Sequence, residues 1–141
     1  MRSRRTSGEQ RRAVGVSEPT SPVAISEAAW RDGRLAYPCT ADGTPVWPPR
    51  GAAPGSGQAL VWRDSAGLGT VYATTALHAR DAPPRNIVLI ELDEGFRMMS
   101  RVEGLPGDAV PIGLRVRVQF TDPDSETGAR LPIFTPAEAQ A

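Results

Sequence analysis

Cys39-Thr-Ala-Asp42-Gly43 and Ala53-Pro-Gly-Ser56-Gly57 repeat the two-residue gap and trailing glycine with which paired thiolates grip a structural zinc ion from two tight knuckles. Such a site needs soft, deprotonated donors at the corners of a tetrahedron. Here the four positions read Cys39, Asp42, Ala53 and Ser56. One thiol remains, alanine has no donor atom and serine is a poor zinc ligand, so the spacing predicts knuckles without a metal. A ribbon of this kind must hold its shape by packing Tyr37, Val46 and Trp47, by the fixed torsions of the prolines in Pro45-Val46-Trp47-Pro48-Pro49-Arg50, or against a partner's surface.

No other residues assemble a reactive centre. Nucleophilic catalysis needs a thiol or hydroxyl beside a base, and nothing in the sequence brings Cys39 together with His78, the single histidine. Asp93-Glu94 offers adjacent carboxylates, but followed by Gly95 they read as a hairpin turn. Gly67-Leu-Gly69 lacks the third glycine and the helix of a dinucleotide fingerprint, and serves a sharp turn into a strand. No catalytic residue, metal or cofactor is expected.

The elements that carry these residues are short. The 141 residues suit one domain plus an appendage, and 14 Gly with 14 Pro favour turns and strands over long helices. Every basic side chain is arginine, which with abundant Ala, Gly and Pro suggests a bacterial, GC-rich source. Net charge is zero, so no global attraction to nucleic acid or an anionic membrane is expected. A lone cysteine excludes an internal disulfide, and no apolar run reaches the roughly 20 residues of a membrane span, which points to the cytoplasm.

Along the chain, residues 1–22 read as a disordered, arginine-rich tail. Residues 23–34 hold a short helix, with Ser26 as its cap and Gly33 as its stop. The ribbon occupies 35–61, a barrel 62–136 and a C-terminal tail 137–141. Leu114, Val116, Val118 and Phe120 alternate with Arg115, Arg117 and Gln119, the period of a half-buried strand. Phe96, Met98, Ser100 and Val102 alternate in the same way. Ile87 to Leu92 is apolar enough to be a central strand covered on both faces. Gly69 to Leu77 and Arg130 to Phe134 complete five strands, a small antiparallel barrel.

Trp30-Arg-Asp-Gly-Arg-Leu35, Cys39-x-x-Asp42-Gly43, Pro48-Pro49-Arg50, Gly67-x-Gly69-x-Val71-Tyr72, Val88-x-Ile90-Glu-Leu-Asp-Glu-Gly95, Ile112-Gly113 and Leu131-Pro132-x-Phe134-x-Pro136 together resemble the DUF35 family, over residues 28 to 136. The resemblance implies a mainly β chain: a five-stranded OB-fold barrel preceded by a short helix and a rubredoxin-like ribbon, here metal-free. It places the family's four zinc thiolates on Cys39, Asp42, Ala53 and Ser56. Departing from it, Arg85-Asn86 stands where family strands often carry an aromatic.

Proteins of this family accompany thiolase-superfamily enzymes or are joined to MaoC-like hydratases. The resemblance therefore implies a noncatalytic accessory subunit of a thiolase-fold acyl-CoA enzyme, in a hetero-oligomer whose partner binds most of the CoA thioester. Trp30, Trp47, Pro48, Pro49 and Arg50 are the expected partner contacts, with internal packing of the ribbon as the other use of its aromatics. Arg50, Arg80 and Arg85 are candidates for CoA phosphates. A single-stranded nucleic-acid reader is the alternative: Arg115 and Arg117 supply charge, but Tyr72 is the one ring free for stacking. A structural scaffold without an enzyme partner is the third reading.

Overall fold

The computed structural model describes residues 21–137; most of the two expected tails lies outside them. The first element is α1 (Pro22–Arg31). Ser21, in extended conformation, is its N-cap: the Ser21 hydroxyl accepts from the Ala24 N–H at 3.0 Å, and Pro22 occupies the first turn, where a missing N–H costs nothing. This corrects the expected cap at Ser26, which lies buried one turn inside the helix. Gly33, at φ 75°, ends the helix as expected, its N–H returning to the Trp30 carbonyl at 2.9 Å. Arg130 also donates to the Arg31 carbonyl at this end.

Two sheets follow. The ribbon sheet pairs β1 (Ala36–Cys39) with β2 (Val61–Asp64), so its ladder runs to Asp64 before the chain enters the barrel. The larger sheet contains β3 (Leu68–Ala79), β4 (Ala82–Leu92), β5 (Arg97–Ser100), β6 (Arg115–Phe120) and β7 (Pro132–Pro136), in the order β5-β4-β3-β6-β7. All its ladders are antiparallel. A parallel bridge between Val102 and Phe134 then joins the two edges. Phe134 N–H donates to the Arg101 carbonyl at 3.0 Å, and Glu103 N–H to the Phe134 carbonyl at 2.8 Å. The sheet thus curls into an OB-fold, fastened by this rung and by the Ser100 hydroxyl donating to the Pro132 carbonyl at 3.1 Å.

The core is the inward set of these strands: Val71, Val88, Ile90, Leu92, Met98, Val102, Val116 and Phe134 are buried. The period-two pattern of Phe96 to Val102 and of Leu114 to Phe120 holds. β4 does not have both faces covered: Val88 and Ile90 are buried while Ile87 is 40% exposed, because no layer packs over the outer face there. Gly69 is needed for contact, since a Cβ there would lie 2.7 Å from the Glu91 carbonyl oxygen.

Asp93-Glu94-Gly95 forms the β4–β5 turn, with Gly95 at φ 108°. Both carboxylates serve structure. Arg115 grips Asp93 with two nitrogens at 2.8 and 2.9 Å, and its donated hydrogen bonds hold the Asp93 carboxyl below the usual aspartate range. Because the folded value is depressed, the stabilisation is present above the ordinary Asp pKa and disappears as pH falls through the folded value. Both side chains are 48% exposed, so Asp93→Asn should lower stability by only about 0.5 kcal/mol at pH 7. In urea titrations the variant and the parent should converge as pH falls through the lowered Asp93 value.

Candidate partner-binding site

Both knuckles fold as tight turns. In the first, Thr40 N–H donates to the Thr44 carbonyl and Gly43 N–H to the Thr40 carbonyl, each at 2.9 Å. Asp42 turns its carboxylate back onto this loop, accepting from the Thr40 hydroxyl and from the Thr44 hydroxyl at 3.2 Å, and these bonds lower its pKa. In the second, Gly57 N–H donates to the Ala53 carbonyl, Ala53 N–H to the Gln58 carbonyl, and Gln58 N–H to the Ser56 hydroxyl. Cys39 is fully buried in the apolar core, and Ala53 is buried without a donor. Among the described residues no three His, Cys, Asp or Glu side chains converge. This donor set does not fit zinc.

Aromatic stacking holds the ribbon to the barrel. Phe96, immediately before β5, is 4% exposed and stacks on Tyr37 of β1 at 4.8 Å between centroids and on Trp47 at 4.9 Å. Burial raises the Tyr37 pKa, with the Glu94 charge adding to it. Glu94 fastens the segment between ribbon and barrel, accepting from the Ser65 hydroxyl at 2.7 Å and from the Ala66 N–H at 2.8 Å.

The five residues expected at a partner surface are divided by the fold. Trp30 and Trp47 are half-buried against the core, whereas Pro48 and Arg50 are exposed and Pro49 is half-buried. The structure brings Trp30, Trp47 and Arg85 together on the wall of one open cavity of about 940 Å³. Met98, Met99, Ser100, Leu131, Pro132 and Ile133 also line it. Arg80 lies in the β3–β4 turn and Arg50 in the ribbon loop, and neither lines this cavity.

Asn86 was not legible as a site residue, yet it shapes this wall. Its side chain is 8% exposed and makes a reciprocal pair with the Val102 backbone: Asn86 Nδ2 donates to the Val102 carbonyl at 3.0 Å, and Val102 N–H donates to Asn86 Oδ1 at 2.8 Å. An amide imitating a strand rung holds the segment that closes the barrel.

Groups needed for the other chemistries are separated or occupied. Cys39 lies in the core, while His78 is exposed near the end of β3. Arg115 is held by Asp93, and the Arg97 guanidinium lies 3.7 Å above the Tyr72 ring, covering a face that a base would need for stacking.

The family profile described as "ChsH2, C-terminal OB-fold domain" matches residues 62–121. A solved chain of the "Ltp2-ChsH2(DUF35) aldolase" superposes with a TM-score of 0.74 at 29% identity, covering 86% of this chain and 99% of that one. Residues 62–121 are thus similar to the OB-fold domain of a ChsH2 protein, and the solved relative is a DUF35 chain. The likeness extends beyond the barrel to the ribbon and helix, as the coverage requires. Among curated proteins it is 33% identical over 81 residues to the "Probable enoyl-CoA hydratase alpha subunit" of Thermomonospora curvata, covering 55% of this chain and 25% of that one. It is 36% identical over 75 residues to the "3-oxo-4,17-pregnadiene-20-carboxyl-CoA hydratase alpha subunit" of Mycobacterium tuberculosis, covering 44% and 24%. The chain thus spans about a quarter of the length of these curated relatives.

Proposed function

We propose that this chain is a noncatalytic accessory subunit of a thiolase-superfamily acyl-CoA enzyme, one that makes or breaks a carbon-carbon bond. The observation that carries the reading is the likeness to a chain of the Ltp2-ChsH2(DUF35) aldolase, at 29% identity over 99% of that chain. The site's chemistry agrees with it. Cys39, Asp93 and Glu94 are committed to packing or to structural bonds. The chain offers apolar surface and a firmly seated ribbon, which suit docking on an enzyme and narrowing of its acyl-CoA channel. The partner supplies the nucleophile, the acid/base groups and most of the contacts to the CoA thioester.

Co-expression with a thiolase-fold subunit encoded beside this chain tests the reading. The expected result is a mixed complex that survives size exclusion, with a mass that is an integral sum of both subunits. Elution of the two proteins as separate species would refute it.

A further inference from the structure

The barrel's closure stops at a proline, and what it leaves open is a strand edge. Leu92 N–H donates to the Phe96 carbonyl at 2.8 Å, and the register continues through Ile90–Met98 and Val88–Ser100. In an antiparallel ladder, alternate residues bond to the neighbour and the others point away. The N–H and C=O groups of Arg97 and Met99 therefore face outward, in the same row as those of Arg101 and Glu103. That row is used at one end only, where Phe134 bonds to the Arg101 carbonyl and the Glu103 N–H. The next parallel rung would need an N–H at position 132 for the Met99 carbonyl, and Pro132 has none. The Ser100 hydroxyl still donates to the Pro132 carbonyl at 3.1 Å, but before Pro132 the chain turns from β5, Leu131 N–H bonding to the Thr121 hydroxyl and Arg130 reaching the end of α1. Among the described residues, the outward groups of Arg97 and Met99 have no backbone partner.

The open edge lies beside the cavity already described. Met98, Met99, Ser100 and Arg101 form one side of that cavity, and Trp30 and Trp47 belong to its apolar lining. Met99 is 67% exposed and Leu131 53%, the largest apolar exposures on the lining. Charge narrows the choice of occupant. Arg101 is paired with Glu103 at 2.7 Å and Arg97 with Glu91 at 3.5 Å, whereas Arg85 on the cavity wall has no carboxylate partner among the described residues.

We infer that the Arg97–Met99 edge is a strand-acceptor slot, occupied by an extended segment of the acyl-CoA enzyme partner with apolar side chains at alternate positions and a carboxylate facing Arg85. Unpaired rungs select an extended backbone, the cavity takes the apolar side chains, and the flanking arginines keep the short edge from pairing indiscriminately. The inference rests on the accessory-subunit reading and names its docking mode.

The test uses the full chain and the co-expressed thiolase-fold subunit. Met99→Pro deletes an outward N–H while leaving the inward rungs of β5 to β4 in place, and should weaken the complex about tenfold, the loss expected for a backbone bond at an interface. Arg85→Glu should weaken it as well and make it less sensitive to salt. If Met99→Pro does not fold, amide exchange on the unsubstituted chain decides: the Arg97 and Met99 amides should become protected on adding the partner. A folded Met99→Pro variant that binds like the parent, or unchanged exchange in a complex that forms, overturns the slot and leaves the accessory role standing. Protection that appears in the isolated chain and rises with its concentration assigns the edge to a second copy and overturns the slot too. Absence of any complex removes both readings.

Discussion

Phe96→Ala is expected to lower the unfolding free energy by about 4 kcal/mol, in the range of large-to-small changes at buried aromatics. Phe96 is 4% exposed and touches both Tyr37 and Trp47, so alanine leaves a void at the junction of ribbon and barrel and removes two stacked pairs at once. For a chain of this size the midpoint of thermal unfolding should fall by about 15 °C. Phe96→Leu keeps most of the volume and should cost about half as much. Circular dichroism melts measure the loss. Amide exchange over Tyr37 to Trp47 should quicken in the alanine variant, since that stack seats the ribbon on the barrel. A loss under about 1 kcal/mol would mean that the ribbon is anchored elsewhere.

Asn86→Ala should cost about 3 kcal/mol, because it strands a buried N–H and a buried C=O of Val102 with no replacement partner. The consequence is topological as well as energetic. Val102 is the residue bridged to Phe134, so releasing it frees the rung that joins the segment after β5 to β7. Asn86→Asp should be worse at neutral pH, since it keeps the acceptor, loses the donor and places a charge at a site 8% exposed. Urea titration of both variants, with exchange of the Glu103 and Phe134 amides as the local readout, checks the order. Equal stability of Asn86→Ala and the parent would show that the barrel closes without this clamp.

The strands that build the barrel were legible because their side chains obey a local rule. Arg115 to Phe120 alternates in burial as it does in polarity, and Asp93-Glu94-Gly95 turns where it should. Ile87 to Leu92 misled because a continuous apolar run states that a strand is central but not how many faces are covered. The helix start was misplaced because Ser26 has the chemistry of a cap, while Ser21 has that chemistry together with Pro22 in the first turn.

The candidate docking surface was legible only in part. Trp30 and Trp47 could be named from residue type, but their seat beside β5 depends on contacts with Phe96 and the core. The Asn86 clamp spans 16 residues and the Pro132 break lies 33 beyond Met99, so neither leaves a periodic trace. Both become visible once the register of β5 against β4 and Phe134 is fixed.

The central claim, that this chain lends surface to another protein's chemistry, is tested most directly by reconstitution. The thiolase-fold subunit is assayed for carbon-carbon bond cleavage or formation while the purified chain is titrated in. The expected result is a rate that rises and saturates at a fixed subunit ratio, with no turnover by this chain alone. A rate indifferent to the added chain, or turnover by the isolated polypeptide, would contradict it.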